Sequence, residues 1–290
     1  MAITYGQLET RYLDLTKDDS TTNTTRAEER INEINNEILS LRDWYFMEKE
    51  RTTASVADQQ EYQLPVDYNR LLDTWVVVGG VTYYPEEITD TELWQYLNST
   101  TVSSDITTQF IILDKYIYYY PIFSSTDATI HLFYRRKAKH LSADDYTTGT
   151  ISTTAGSQTV TGSGTSWTSA MVGRHMQVDG YWYEISAVGT TTSITLAEPA
   201  LVSVSGDTYT IGELSPIPEE FHDLLLKGSV AAYYDYKGDT NPYRAEYEKR
   251  LALFVQQYGS RKKTAKQVIR RNDRYRVGLR NPNDYPTGLS

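Results

Sequence analysis

Three acidic doublets are the first places to look for chemistry: Glu86-Glu87, Asp144-Asp145 and Glu219-Glu220. A glycoside hydrolase needs two carboxylates roughly 5–10 Å apart across a cleft, one to protonate the leaving oxygen and one to act as base or nucleophile. Acidic doublets at turns and helix starts are also ordinary solvated features. That is the expected reading, with a cell-wall glycosidase as the alternative. The four histidines, His131, His140, His175 and His222, stand apart without the paired spacing of HExxH, so each is read as structural and no metal site is expected. Gly162-Ser-Gly-Thr-Ser-Trp167 is glycine-rich, but it lacks the Lys-Ser/Thr ending with which a phosphate loop grips phosphate and magnesium. The nucleophile elbow Gly-x-Ser-x-Gly is absent, and there is no cysteine. No catalytic residue, cofactor or metal is assigned, and the chain is expected not to be an enzyme. A third reading, a carbohydrate-binding module, would use Trp167, Trp182 and Tyr183, provided those rings reach solvent.

The strongest charge feature lies near the C-terminus. Arg261, Lys262, Lys263, Lys266, Arg270, Arg271, Arg274, Arg276 and Arg280 face only Asp273 between 261 and 280, a surplus of eight positive charges. The whole chain carries −10, so the remainder carries −18. An acidic body with a basic arm implies that the arm contacts another molecule. Only Tyr275 interleaves the basic residues, too few aromatics for a single-strand binder that stacks bases. Docking on an acidic protein is therefore expected.

These residues must be positioned by a mixed α+β architecture. Thr4-Tyr-Gly-Gln7 has the spacing of a capping box, with Leu8, Tyr12 and Leu15 on the face that follows. Ala27, Ile31, Ile34, Ile38, Leu41 and Tyr45 then form one seam over five turns, with Glu28, Arg30, Asn32, Asn36 and Arg42 opposite. From Lys49 the period becomes two. Strands are expected at 50–56, 61–64, 71–78, 81–84, 110–113, 116–120 and 128–136, with a short helix at 91–97. Between Asp144 and Gly212 the composition turns to Thr, Ser and Gly. Short strands there (150–153, 157–160, 175–178, 182–188, 193–196, 208–211) indicate a small barrel or sandwich. Helix returns after Pro216 and Pro218, with Phe221, Leu224, Leu225, Gly228 and Ala232 as its stripe. A last helix opens at Asn241-Pro242, buries Tyr243, Tyr247, Leu251, Phe254 and Tyr258, and stops at Gly259.

The expected division is a helical bundle from 1–48 and 214–260, an antiparallel β domain at 49–143, an inserted β module at 144–213 and the basic arm at 261–290. The N-terminus has no basic start or apolar core, so no signal peptide is expected, and no run is long enough to span a membrane. Without cysteine the chain is expected to be made in a reducing cytoplasm. Tyr supplies 25 residues against six Phe, which suits half-buried strands and protein interfaces.

The ordered series Leu41-Arg-Asp-Trp44, Gln60-Glu-Tyr-Gln-Leu-Pro65 with Tyr68 and Arg70, Lys115-Tyr-Ile-Tyr-Tyr-Tyr-Pro121, the strand 130–136, Ile217-Pro-Glu-Glu-Phe-His222 and Ala245-Glu-Tyr-Glu-Lys249 resembles head-to-tail adaptor (connector, or head completion) proteins of tailed bacteriophages. It covers about 220 residues with the insert excluded. The insert itself, through Gln158-Thr-Val-Thr-Gly-Ser-Gly-Thr-Ser-Trp167 and its neighbours, looks like small β-modules of phage virion proteins. The resemblance implies a virion protein of the head–tail junction, made in the host bacterial cytoplasm. It would form a homo-oligomeric ring of twelve subunits on the portal protein, offer a surface to a tail or nozzle protein, and let double-stranded DNA pass its lumen without specific binding. The C-terminal arms would reach the portal, and an acidic wall would repel phosphates.

Overall fold

The computed structural model describes residues 2–18, 20–99 and 102–259. The expected portal-binding arm, 261–280, lies outside them. Among the described residues there are five α-helices, and the strands form three sheets, nearly all antiparallel.

Helix α1 (Tyr5–Thr16) opens where the capping-box spacing put it, with the Thr4 hydroxyl accepting from the Gln7 amide. Helix α2 (Thr21–Ser40) opens on Ser20 in the same way. Both pack against α4 (Asp223–Lys237), which also packs on α5 (Arg244–Tyr258). One apolar cluster joins them through Leu8, Ile31, Ile34, Ile38, Leu224, Leu225, Tyr247 and Phe254. The approach is close at Gly228, where a β-carbon would stand 2.7 Å from an Ile34 methyl and 2.9 Å from the Tyr247 ring. Within its stripe α4 buries Ala231 fully, whereas Ala232 is only half-buried. Helix α5 buries Tyr247 and Phe254, but Tyr243, Leu251 and Tyr258 only in part.

Two expectations for the seam helix need correction. It stops at Ser40, so Leu41 and Tyr45 are exposed by 45% and 44% rather than continuing the seam. The chain turns there because Trp44 folds back. Its indole is fully buried and donates from Nε1 at 2.9 Å to the Ile38 carbonyl, which the Leu41 amide reaches only at 3.4 Å. The opposite face is also not uniformly solvated, since Arg30 and Asn32 are buried. Arg30 donates to the Tyr12 hydroxyl and to Asn23 Oδ1, and its guanidinium lies over the Tyr233 ring. The buried charge is tolerated because its protons find acceptors and ring faces.

The strands from β1 to β8 make two facing four-stranded sheets. One has the order β1 (Glu48–Ala54), β8 (Ala128–Arg136), β3 (Tyr68–Val78), β4 (Val81–Tyr83). The other runs β2 (Glu61–Gln63), β7 (Tyr116–Tyr120), β6 (Gln109–Leu113), β5 (Glu86–Glu87). Ala128, Ile130, Leu132 and Tyr134 alternate inward from β8 to meet Tyr62, Phe110, Ile117 and Tyr119 from the other sheet. The expected antiparallel domain carries one parallel pair at its edge, where β5 pairs with β6. Helix α3 (Thr91–Asn98) occupies the crossover between them, the intervening length that a parallel pair requires.

The remaining seven strands form one antiparallel sheet that curls into a half-barrel. Its order is β14 (Val204–Asp207), β9 (Thr150–Thr153), β10 (Thr159–Ser163), β13 (Ser193–Leu196), β12 (Tyr181–Thr190), β11 (His175–Val178), β15 (Thr210–Gly212). It encloses Ile151, Val160, Trp167, Met176, Ile185, Ile194 and Ile211. Strand β10 begins two residues later than expected and runs through Gly162. A side chain there would collide with the Trp167 ring, so this glycine marks a close approach within a strand rather than a turn.

Candidate functional site

The described residues contain no group of three or more His, Asp or Glu able to hold a metal ion. The acidic doublets scatter. Glu86 and Glu87 are exposed on the edge strand β5, and Glu219 and Glu220 are exposed in the turn before α4, where the Glu220 carboxylate accepts from the Tyr258 hydroxyl. Asp144 and Asp145 fare differently. They line a hollow of about 360 Å³ with Gly6, Gln7, Glu9, Thr10 and Arg11. Burial and then the nearby Asp144 charge hold the Glu9 carboxyl above its ordinary value. Burial raises Asp145 too, against the Thr4 hydroxyl, which donates to Asp145 Oδ2 at 2.6 Å, and the Arg174 charge. Sequence reasoning missed Glu9, which carries no local signal because the chain between α1 and Asp144 builds both sheets first.

Thr4 and Asp145 belong to a clasp that gathers segments remote in sequence. The half-barrel leaves and rejoins the chain at one point, since Tyr146 and Ile211 exchange both backbone hydrogen bonds at 2.8 Å. Buried Arg174 braces the point by donating to the carbonyls of Asp144 and Ile211. Buried Glu213 accepts from the amides of Ser142 and Ala143 at 2.7 and 2.9 Å and from Lys139 at 2.9 Å. From α2, Asn32 exchanges two hydrogen bonds with the Leu141 backbone, and Asn35 accepts from the Ser215 hydroxyl. The N-terminus closes the clasp. The Tyr5 amide donates to the Glu213 carbonyl, and the Ile3 amide donates to His222 Nδ1 at 3.0 Å. His222 Nε2 in turn donates to the Ile217 carbonyl at 2.7 Å, so the neutral ring that accepts from the Ile3 amide carries its proton on Nε2.

The clasp makes a pH prediction. Burial holds the His222 pKa below 6.5, outweighing its backbone hydrogen bonds. For Glu213 burial pushes upward, but Lys139 and the two amides together outweigh it, so its pKa lies below 4.5. Both groups bind protons more readily when unfolded. The His222 contribution is complete above its unfolded value and fades as pH falls toward its folded one, and Glu213 adds a second loss at more acid pH. Burial lowers the His175 pKa as well and adds to the same trend, so the urea midpoint should fall from about pH 7.5 to 5.5. His222→Gln should lower it at the upper end and flatten that slope. A variant slope as steep as the parent's would show that the His222 ring contributes nothing to it.

The carbohydrate reading is overturned for two of its three rings. Trp167 is 1% exposed, with its Nε1 donating to the Tyr209 hydroxyl, and Tyr183 is 6% exposed, with its hydroxyl accepting from the Leu201 amide. Trp182 remains half-buried on the wall of a groove of about 400 Å³ between the β11–β12 hairpin and the turn before α4.

No hydrolytic activity is expected from the Glu9, Asp144 and Asp145 hollow. Peptidoglycan turnover by the purified protein, abolished by Glu9→Gln or Asp145→Asn with the fold intact, would contradict this.

A family model described as the SU10 adaptor protein matches residues 3–158, from α1 through both facing sheets to β9. The match leaves out α4 and α5, which the sequence resemblance included, and reaches into the half-barrel, which it excluded. No curated protein matches the chain.

Proposed function

This chain belongs to the SU10 adaptor protein family, and we propose that it is a structural component of a phage particle, a head-to-tail adaptor that assembles as a ring of twelve on the portal. The family match over residues 3–158 is the observation that carries this reading. The surface agrees with a protein that meets others. Val66 is 89% exposed and Tyr96 74% exposed, and Leu113 and Tyr116 lie open at the β6–β7 turn. Tyrosines and aliphatics at such positions suit partner contacts. Among the described residues no helix is long and apolar enough to cross a membrane.

The mechanism would be mechanical and electrostatic. The clasp ties the half-barrel to the helices, and through it each subunit would present its surfaces together. The basic arm, 261–280, supplies arginines for bidentate contacts with acidic grooves of the portal. The acidic remainder would repel DNA phosphates in the lumen, and the free ends of the subunits would receive a tail or nozzle protein. Co-sedimentation with purified portal rings at near-physiological salt tests the reading. The chain should travel with the portal, and complete separation of the two would count against it.

A further inference from the structure

We propose that the groove between the β11–β12 hairpin and the turn before α4 holds this chain's own basic segment, residues 261–276, before the protein meets its partner. The groove is built for a cationic peptide. Its apolar wall is Tyr181, 51% exposed, Leu201, 66% exposed, and the half-buried Trp182. Its polar wall is Glu198 and Glu219, both exposed. Aromatic faces beside carboxylates receive guanidinium groups by stacking and charge together. The chain already makes such contacts, with Arg250 over the Phe221 ring at 4.3 Å and Arg26 over Tyr236 at 5.2 Å.

The occupant follows from where α5 ends. The Tyr258 hydroxyl donates to the Glu220 carboxylate, so the chain leaves α5 beside the residue that follows Glu219 on the groove wall. Extended chain spans about 3.3–3.6 Å per residue, so a few residues beyond Gly259 suffice to enter the groove. The segment 261–276 carries Arg261, Lys262, Lys263, Lys266, Arg270, Arg271, Arg274, Tyr275 and Arg276 against Asp273 alone. A neighbouring copy's segment would have the same charge but must first meet this chain, whereas the chain's own segment is tethered to α5, whose last turn touches Glu220. Docked there, the basic residues are occupied in the free subunit and must be displaced by a more acidic partner.

The test uses the full chain, which has no cysteine. A nitroxide on Thr264→Cys would be read through the indole resonances of the five tryptophans, with Trp182 assigned by Trp182→Phe. The oxidised label should erase the Trp182 signal while leaving Trp94, and reduction of the label should restore it. Glu198→Gln with Glu219→Gln should also restore most of it in a chain whose other indole signals are unmoved. A Trp182 signal indifferent to the label overturns the proposal. So does broadening seen only between separate spin-labelled and isotope-labelled chains, which would place a second copy's segment there. A Trp182 shift produced by an N-acetylglucosamine oligomer, without any effect of the label, would make the groove a sugar site instead. No portal enters the experiment, so its failure leaves the adaptor reading standing.

Discussion

Removing everything after Ser260 is expected to leave a soluble, folded chain that no longer binds the portal. The reason is structural at one end and electrostatic at the other. Helix α5 closes at Gly259, whose amide donates to the Val255 carbonyl at 2.8 Å, and Arg42 reaches the Gly259 carbonyl, so the last helix is complete without the arm. The arm holds nine of the chain's 28 basic residues within 20 positions. Several charge-assisted contacts per subunit, each about 1.5–3 kcal/mol, would be lost together on every member of a ring. A DNA grip in the same place would oppose genome passage, because phosphate contacts accumulate through counterion release. Circular dichroism of the truncated chain should match the parent, and portal binding should vanish. Full portal binding by the truncated chain would contradict the assignment, as would duplex DNA binding by the intact chain that truncation removes.

Trp44→Ala is expected to be the most destabilising single substitution in the helical layer, at about 3–5 kcal/mol. Trp44 is fully buried where α2 ends, and its ring lies 4.6 Å from Phe254 of α5 and 5.7 Å from Phe46. Truncation opens a cavity between α2 and α5 and also leaves the Ile38 carbonyl without its indole donor. Against a typical net stability of about 5–15 kcal/mol, that loss is a large fraction. Trp44→Phe should recover most of the packing but not the hydrogen bond, and so fall between. Urea unfolding followed at the remaining tryptophans would measure both, and a loss below about 1 kcal/mol for the alanine variant would show that the site collapses without cost.

The elements that repeat are legible in the sequence, and those that depend on distant partners are not. The three-and-four spacing of Ile31, Ile34 and Ile38 and the alternation in 128–136 led directly to α2 and β8, because each period follows from backbone geometry alone. Gly79-Gly80 likewise announced the β3–β4 hairpin. Arg30 and Asn32 look like a solvated face, and nothing local distinguishes them from Asn36. Their burial is decided by Tyr12, Asn23 and the Leu141 backbone. Strand β14 was missed because Val204-Ser-Gly-Asp reads as a turn, and only pairing with β9 makes it a strand. The clasp was invisible for the same reason. Glu213, Asn35 and His222 each look ordinary until the N-terminus and both crossings of the half-barrel meet at one place. His222 was read as structural, and its two backbone hydrogen bonds give that reading a mechanism.

Ring assembly on the portal is tested most directly by stoichiometry. Native mass spectrometry of the protein alone, and then mixed with its portal at near-physiological ionic strength, should show a change of state. Small species are expected from the protein alone, and one complex carrying twelve copies per portal ring from the mixture. Portal ions that retain their unbound mass across a range of added protein would contradict it.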